Sequence, residues 1–171
     1  RSTSSKKRLM RHLILTLVLL LSFGINSNEL VNTLNDLILK DLKFNQKTLN
    51  FKTNKVENSY GNIRRSNKLI TINVESPFKE RYKINKDYVE IYDYDFDETK
   101  TIFLEDIDVK TLDFLTKGIR SKDIILIENK SLTLKSSENE LYIELIDSKN
   151  FVIKFKDNLG LQNLINFEVI S

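Results

Sequence analysis

The sequence predicts a mainly β fold with helices, an α+β arrangement built on one long antiparallel sheet. Three observations predict it. From Ile70 to Val169, apolar and polar residues alternate in one segment after another, the period of half-buried strands. Short clusters of turn residues separate those segments, as in successive hairpins. Helical spacing occurs in only two places, one before the strands and one among them.

The first helix is predicted over Asn28–Leu42, where Leu30, Leu34, Leu37, Ile38 and Leu42 fall on one face. The period then changes to two. Ile70, Ile72 and Val74 alternate with Thr71, Asn73 and Glu75; Tyr82 with Ile84, and Val89 with Ile91, continue the pattern, and Ile102 and Leu104 follow. The second helix is predicted over Val109–Gly118, with Leu112 and Leu115 as its apolar face and Gly118 as its C-cap. Four more strands follow: Ser131–Lys135, then Leu141/Ile143/Leu145, Phe151/Ile153/Phe155 and Ile165/Phe167/Val169. Ser136–Asn139, Asp147–Asn150 and Asp157–Gly160 are the turns between them.

Residues 1–27 read as a leader. Lys6, Lys7, Arg8 and Arg11 precede an apolar run from Leu13 to Phe23, and small and polar residues follow. That order is the architecture of a secretory signal, with cleavage expected near Gly24 or Ser27. The run is shorter than the ~20 residues of a membrane-spanning helix. Residues 28–171 show no repeat and no low-complexity linker, so one domain is expected there. The leader also accounts for the basic balance of the 171-residue chain. It holds five Lys/Arg and no acid, leaving 22 basic against 24 acidic residues in 28–171, a net charge of −2. A nucleic-acid partner is not expected of such a domain, because binders carry a basic stripe on the folded part.

Composition excludes several chemistries. There is no cysteine, hence no disulfide, thiolate metal site or cysteine nucleophile. The single histidine, His12, lies in the leader, so His-based triads and zinc sites have no histidine to use in 28–171. Asp93, Asp95 and Asp97 suggest a calcium loop, but the sixth and twelfth positions are Glu98 and Leu104 in place of Gly and Glu. They read as an acidic hairpin turn. No metal, no cofactor and no enzymatic activity are expected.

A sheet of many strands with one apolar face must curl or be covered. Two helices cover little of it. Either the inner face forms an apolar cleft for a ligand, or the core is filled by its own side chains and the domain is purely structural. The pattern alone leaves both open.

The middle of the chain narrows the choice. It runs Arg65-Ser66-Asn67-Lys68-Leu69-Ile70, continues to Ser76-Pro77, and reaches Tyr92-Asp93-Tyr94-Asp95-Phe96-Asp97-Glu98. This order resembles the periplasmic outer-membrane lipoprotein carrier family (LolA). Members of that family read Arg-Pro-x-x-Phe, a second proline at a strand end, then Tyr-Asp-x-Asp-Leu. Phe44-Asn45-Gln46 after the first helix, Gly61 before the arginine strand, Leu132–Lys135, and Asp157-Asn158-Leu159-Gly160 ahead of Leu164–Phe167 are similar to the family's flanking segments. Ser66 stands where the first proline is usual, and the chain has no Trp.

The resemblance implies a strongly curved antiparallel sheet forming an incomplete (half) barrel, covered by the two helices as a lid. It implies a periplasmic, monomeric carrier that binds the acyl chains of lipoproteins and shuttles them from the inner to the outer membrane. Its implied partners are acylated lipoproteins, an inner-membrane lipoprotein-releasing ABC transporter and an outer-membrane lipoprotein receptor. It also implies that Arg65 is a latch, whose guanidinium holds the lid closed through backbone carbonyls. A carrier needs much apolar surface and few directional contacts, since each exposed methylene costs ~0.8 kcal/mol in water. Candidates for the acyl-chain cavity, taken from the alternating strand positions, are Ile70, Ile72, Val89, Ile91, Ile102, Leu104, Leu134, Ile143 and Ile153. A half-barrel that binds another lipid or senses acyl groups fits the same residues.

Overall fold

The computed structural model describes residues 27–104, 110–135, 140–157 and 159–170, with main chain alone for 110–113. Of the expected leader only Ser27 is among them; Val109, the turn Ser136–Asn139, Asn158 and the side chain of Leu112 also lie outside.

Helix α1 spans Ser27–Ile38, and its buried residues are Leu30, Leu34, Leu37 and Ile38, the predicted face. It ends earlier than the spacing suggests. Leu42 is not helical; it opens strand β1 and pairs with both Ile63 and Val169. Apolar Leu42 satisfies the helical period and the start of a buried strand equally well, and strand pairing wins.

The strands are β1 (Leu42–Asn50), β2 (Lys55–Ser66), β3 (Leu69–Ser76), β4 (Glu80–Ile84), β5 (Tyr88–Asp93) and β6 (Glu98–Phe103). Helix α2 (Lys110–Lys117) and a short 3-10 turn (Ser121–Asp123) follow. Then come β7 (Ile124–Glu128), β8 (Ser131–Lys135), β9 (Glu140–Leu145), β10 (Asn150–Lys156) and β11 (Gln162–Val169). All eleven form one antiparallel sheet in the order β6-β5-β4-β3-β2-β1-β11-β10-β9-β8-β7. Consecutive strands are neighbours in space except β6 and β7, which are the two edges. The sheet is therefore not closed, and with the two short helices among the described residues the arrangement is consistent with an α+β half-barrel. Among the described residues no helix is long and apolar enough to cross a membrane.

Strands β1 and β2 have no clear alternation in the sequence, and the reason is visible in their inner faces. Gln46 and Thr48 of β1 point to the same face as Phe44, and with Asn163 of β11 they form a hydrogen-bonded group. Gln46 Nε2 lies 3.0 Å from Asn163 Oδ1, and Thr48 Oγ1 lies 2.8 Å from it. Asn163 is only 4% exposed, so the polar pattern hides a strand whose polar groups are paired. Gly61 of β2 sits at a register shift against β3, where a Cβ would stand 1.9 Å from the Asn73 carbonyl oxygen. Strand β7 is an unbroken apolar run with its own register shift, and such runs carry no period to read.

Asparagine and aspartate make the hairpins. Asn54, Asn67, Asp97 and Asn129 all have positive φ in turns, a conformation these side chains tolerate better than most. Asp93 Oδ1 accepts from the backbone of Asp95 and Phe96, and Asp147 Oδ1 from that of Lys149 and Asn150. The acidic run 93–97 is thus the β5–β6 hairpin turn.

The core lies between α1, α2 and the C-terminal half of the sheet. Phe151, Ile143 and Ile153 are 0% exposed, with Leu132, Leu134, Leu141 and Phe167 close behind. Phe151 and Phe167 stack with centroids 4.9 Å apart. Asn35 ties the two helices together. Its Oδ1 accepts from the Ile119 N–H at 2.6 Å, and its Nδ2 donates to the Ile119 carbonyl at 3.2 Å. Gly118, with φ +71 and its N–H bonded to the Phe114 carbonyl, ends α2 as predicted.

Candidate functional site

The inner face of β3–β6 carries two apolar rows set by the register. Ile70 faces Ile84, Ile84 faces Val89, and Val89 faces Ile102. Beside this row, Ile72 faces Tyr82 and Tyr82 faces Ile91. In contrast to the C-terminal half, only Ile84 and Val89 in these rows are buried; Ile70, Ile72, Tyr82, Ile91 and Ile102 are half-buried.

Two cavities lie along the rows. One of about 750 Å³ is walled by Leu39, Leu69, Ile70, Ile84 and Leu104, with Arg65, Asn67, Lys68, Asn85, Lys86, Thr116 and Lys117 around them. The second, about 380 Å³, is walled by Phe44, Ile72, Val74, Phe78, Tyr82, Ile84 and Val89, with Gln46, Ser59, Pro77 and Glu80. Ile84 belongs to both walls, so the two adjoin at this residue along one trough of apolar side chains. A third cavity, of about 620 Å³ around Lys47, Leu49, Lys154 and Phe155, shares no residue with them.

At one end of the trough Arg65 bridges strand and helix. Its Nη2 donates to the Ile38 carbonyl at 2.8 Å, and its Nε to the Lys40 carbonyl at 3.3 Å. Helix α1 has no basic residue in its last turn, where unsatisfied carbonyls and the negative end of the helix dipole favour a cation. Arg65 supplies that cation from β2. Only a guanidinium offers two donors in a rigid fork for such a span. Its pKa is drawn down by burial, with Asp41 opposing. Asp41 completes the junction: Oδ1 accepts from the Arg65 N–H at 2.8 Å, and Oδ2 pairs with Arg64 Nη1 at 3.0 Å. The Arg64 hydrogen bond is the main cause holding the Asp41 carboxyl below its ordinary pKa, against a smaller opposing cost of burial.

The sequence-derived candidates divide in space. Ile70 and Leu104 line the larger cavity, and Ile72 and Val89 the smaller. Ile91 and Ile102 share their rows without lining either. Leu134, Ile143 and Ile153 sit elsewhere, packed in the core with α1 and α2 and lining none of these cavities. Alternation identifies the inner face of the whole sheet; it does not tell which half the helices fill. Sequence reasoning missed Ile84 as a cavity residue, although it joins the compartments and sits two residues from Tyr82 on a recognised strand. It also missed the lysines of the mouth and Leu39, which no periodicity marks.

No protein-family model matches the sequence, and neither does any curated protein. Among solved structures the chain is similar to a LolA superfamily protein from Nitrosomonas europaea, with 7% identity and a TM-score of 0.49, covering 86% of this chain and 94% of that one. It is also similar to a conserved protein from Thermus thermophilus, with 13% identity and a TM-score of 0.47, covering 85% of this chain and 88% of that one.

Proposed function

We propose that the chain is a non-catalytic carrier that holds acyl chains in the trough on the inner face of β3–β6. In this reading it is exported to the periplasm, takes the acyl chains of lipoproteins released by an inner-membrane ABC transporter, and passes them to an outer-membrane receptor. The observation that carries the proposal is the contrast between the two halves of one sheet. Most inner positions of β8–β11 are buried in the core with the helices, whereas the inner apolar rows of β3–β6 are mostly half-buried beside cavities of about 750 and 380 Å³. Such volumes suit small apolar ligands. Helices α1 and α2 act as the lid, and Arg65 holds that lid by its carbonyls. A ligand that displaces the helix end breaks the latch, so occupancy and lid position are coupled.

The test is release. Mature protein is incubated with inner-membrane vesicles carrying radiolabelled lipoproteins, with the transporter supplied with ATP. The expected result is a soluble complex of protein and lipoprotein. If all lipoprotein stays with the membrane while a fluorescent fatty acid still binds, the chain carries another lipid. If neither binds, the trough is not a ligand site.

A further inference from the structure

The acyl-carrier reading says what the trough does with a tail and leaves the head undefined. The walls of the larger cavity define it. Four cationic residues, Arg65, Lys68, Lys86 and Lys117, surround its apolar floor, and no carboxylate is among its described lining residues. They come from four places in the chain: strand β2, the β2–β3 turn, the β4–β5 turn and the last turn of α2. The neighbouring compartment is opposite in character, with Glu80 and no cation among its described lining residues. The trough is therefore electrically polar along its length, cationic where Arg65 sits and apolar to acidic beyond Ile84.

Arg65 is committed to the helix carbonyls. Lys68 and Lys86 stand on exposed turns, and Lys86 meets Asp87 in a 3.9 Å contact between two highly exposed groups, which holds little. A lysine on a flexible apolar stem can lie along a greasy wall and place its ammonium at the mouth.

We propose that the ligand is an anionic amphiphile. Its carboxylate or phosphate head faces Lys68 and Lys86, and its tail passes Ile84 into the compartment bounded by Phe44 and Phe78. This inference rests on the acyl-binding reading of the trough, without its lipoprotein cargo, and adds the charge of the head. A neutral lipid of the same tail makes the same apolar contacts and forgoes the charge attraction, which is worth about a factor of five per lysine near an anionic head.

The test uses displacement of the neutral dye N-phenyl-1-naphthylamine from residues 28–171 at low ionic strength. Three competitors share one tail: palmitate, palmitoyl lysophosphatidic acid and monopalmitoylglycerol. Palmitate or the phosphate lipid is expected to displace the dye on the order of tenfold more effectively than the neutral lipid, and the stronger of the two identifies the head. Added salt shrinks the advantage. The double variant Lys68→Gln/Lys86→Gln cuts it several-fold, with Arg65 and Lys117 still in place, while Lys79→Gln, outside both cavities, preserves it. Equal displacement by all three lipids, or a preference undiminished in the double variant, overturns the proposal and leaves acyl binding intact. Failure of the dye and every lipid to bind overturns both.

Discussion

Replacing Arg65 with leucine removes two hydrogen bonds from the end of α1 while keeping the bond from its backbone N–H to Asp41. Hydrogen bonds from charged donors contribute about 1.5–3 kcal/mol each when buried. Arg65 is half-exposed, which reduces them to about 1 kcal/mol apiece. The sum, about 2 kcal/mol, lowers the melting temperature by roughly 6 °C in a domain of this size. A purely structural tie would do no more. A latch does something else: it suppresses the ligand-ready state, so weakening it by about 2 kcal/mol raises that population by up to about thirtyfold. Apparent affinity for a fluorescent fatty acid should therefore rise in Arg65→Leu even as stability falls. Leu141→Ala, a core truncation costing about 2–5 kcal/mol, should lower stability without tightening binding. Fluorescence titration of both variants beside wild type decides the matter. If Arg65→Leu binds no more tightly than wild type, the coupling between latch and trough is refuted.

Other perturbations probe the frame around the site. Gly61→Ala forces a Cβ against the Asn73 carbonyl and the Phe44 ring and should cost about 3 kcal/mol or more; a loss under about 1 kcal/mol by urea unfolding would contradict the close approach of β2 and β3. Asn35→Ala leaves the Ile119 N–H and carbonyl without these partners, at a cost of about 2 kcal/mol, and amide exchange at Ile119 and Gly118 should accelerate ahead of exchange in β9 and β10. The Asp41 carboxyl titrates below the ordinary value it takes in the unfolded chain, about 3.9. Its stabilisation is full above that pH and is lost as pH falls through the lower folded value. Thermal melts between about pH 3 and pH 7 should therefore show a shallower acid decline in Asp41→Asn than in wild type.

Elements with a clean period can be read from the chain alone. The face of α1, the strands β3–β6 and β8–β11, the Gly118 cap and the Asp147 and Asp157 turns are all written in local spacing. One-sided burial imposes a period of 3.6 on a helix and two on a strand. Strands β1, β2 and β7 are illegible by that rule. The first two turn partly polar residues inward and satisfy them through Asn163 or the backbone, and the third is an unbroken apolar run. Where the sheet ends and which half the helices seal are not local properties. Leu134, Ile143 and Ile153 have the same alternation as Ile70, Ile72 and Val89, yet the first three are core and the others line the trough. Burial of an inward side chain depends on what packs above it, and that is set by the path of α1 and α2 over the sheet. The mouth follows the same rule. Arg65, Lys68, Lys86 and Lys117 are scattered in the chain and converge on one cavity, because hairpin turns return alternate loops to one end of the sheet.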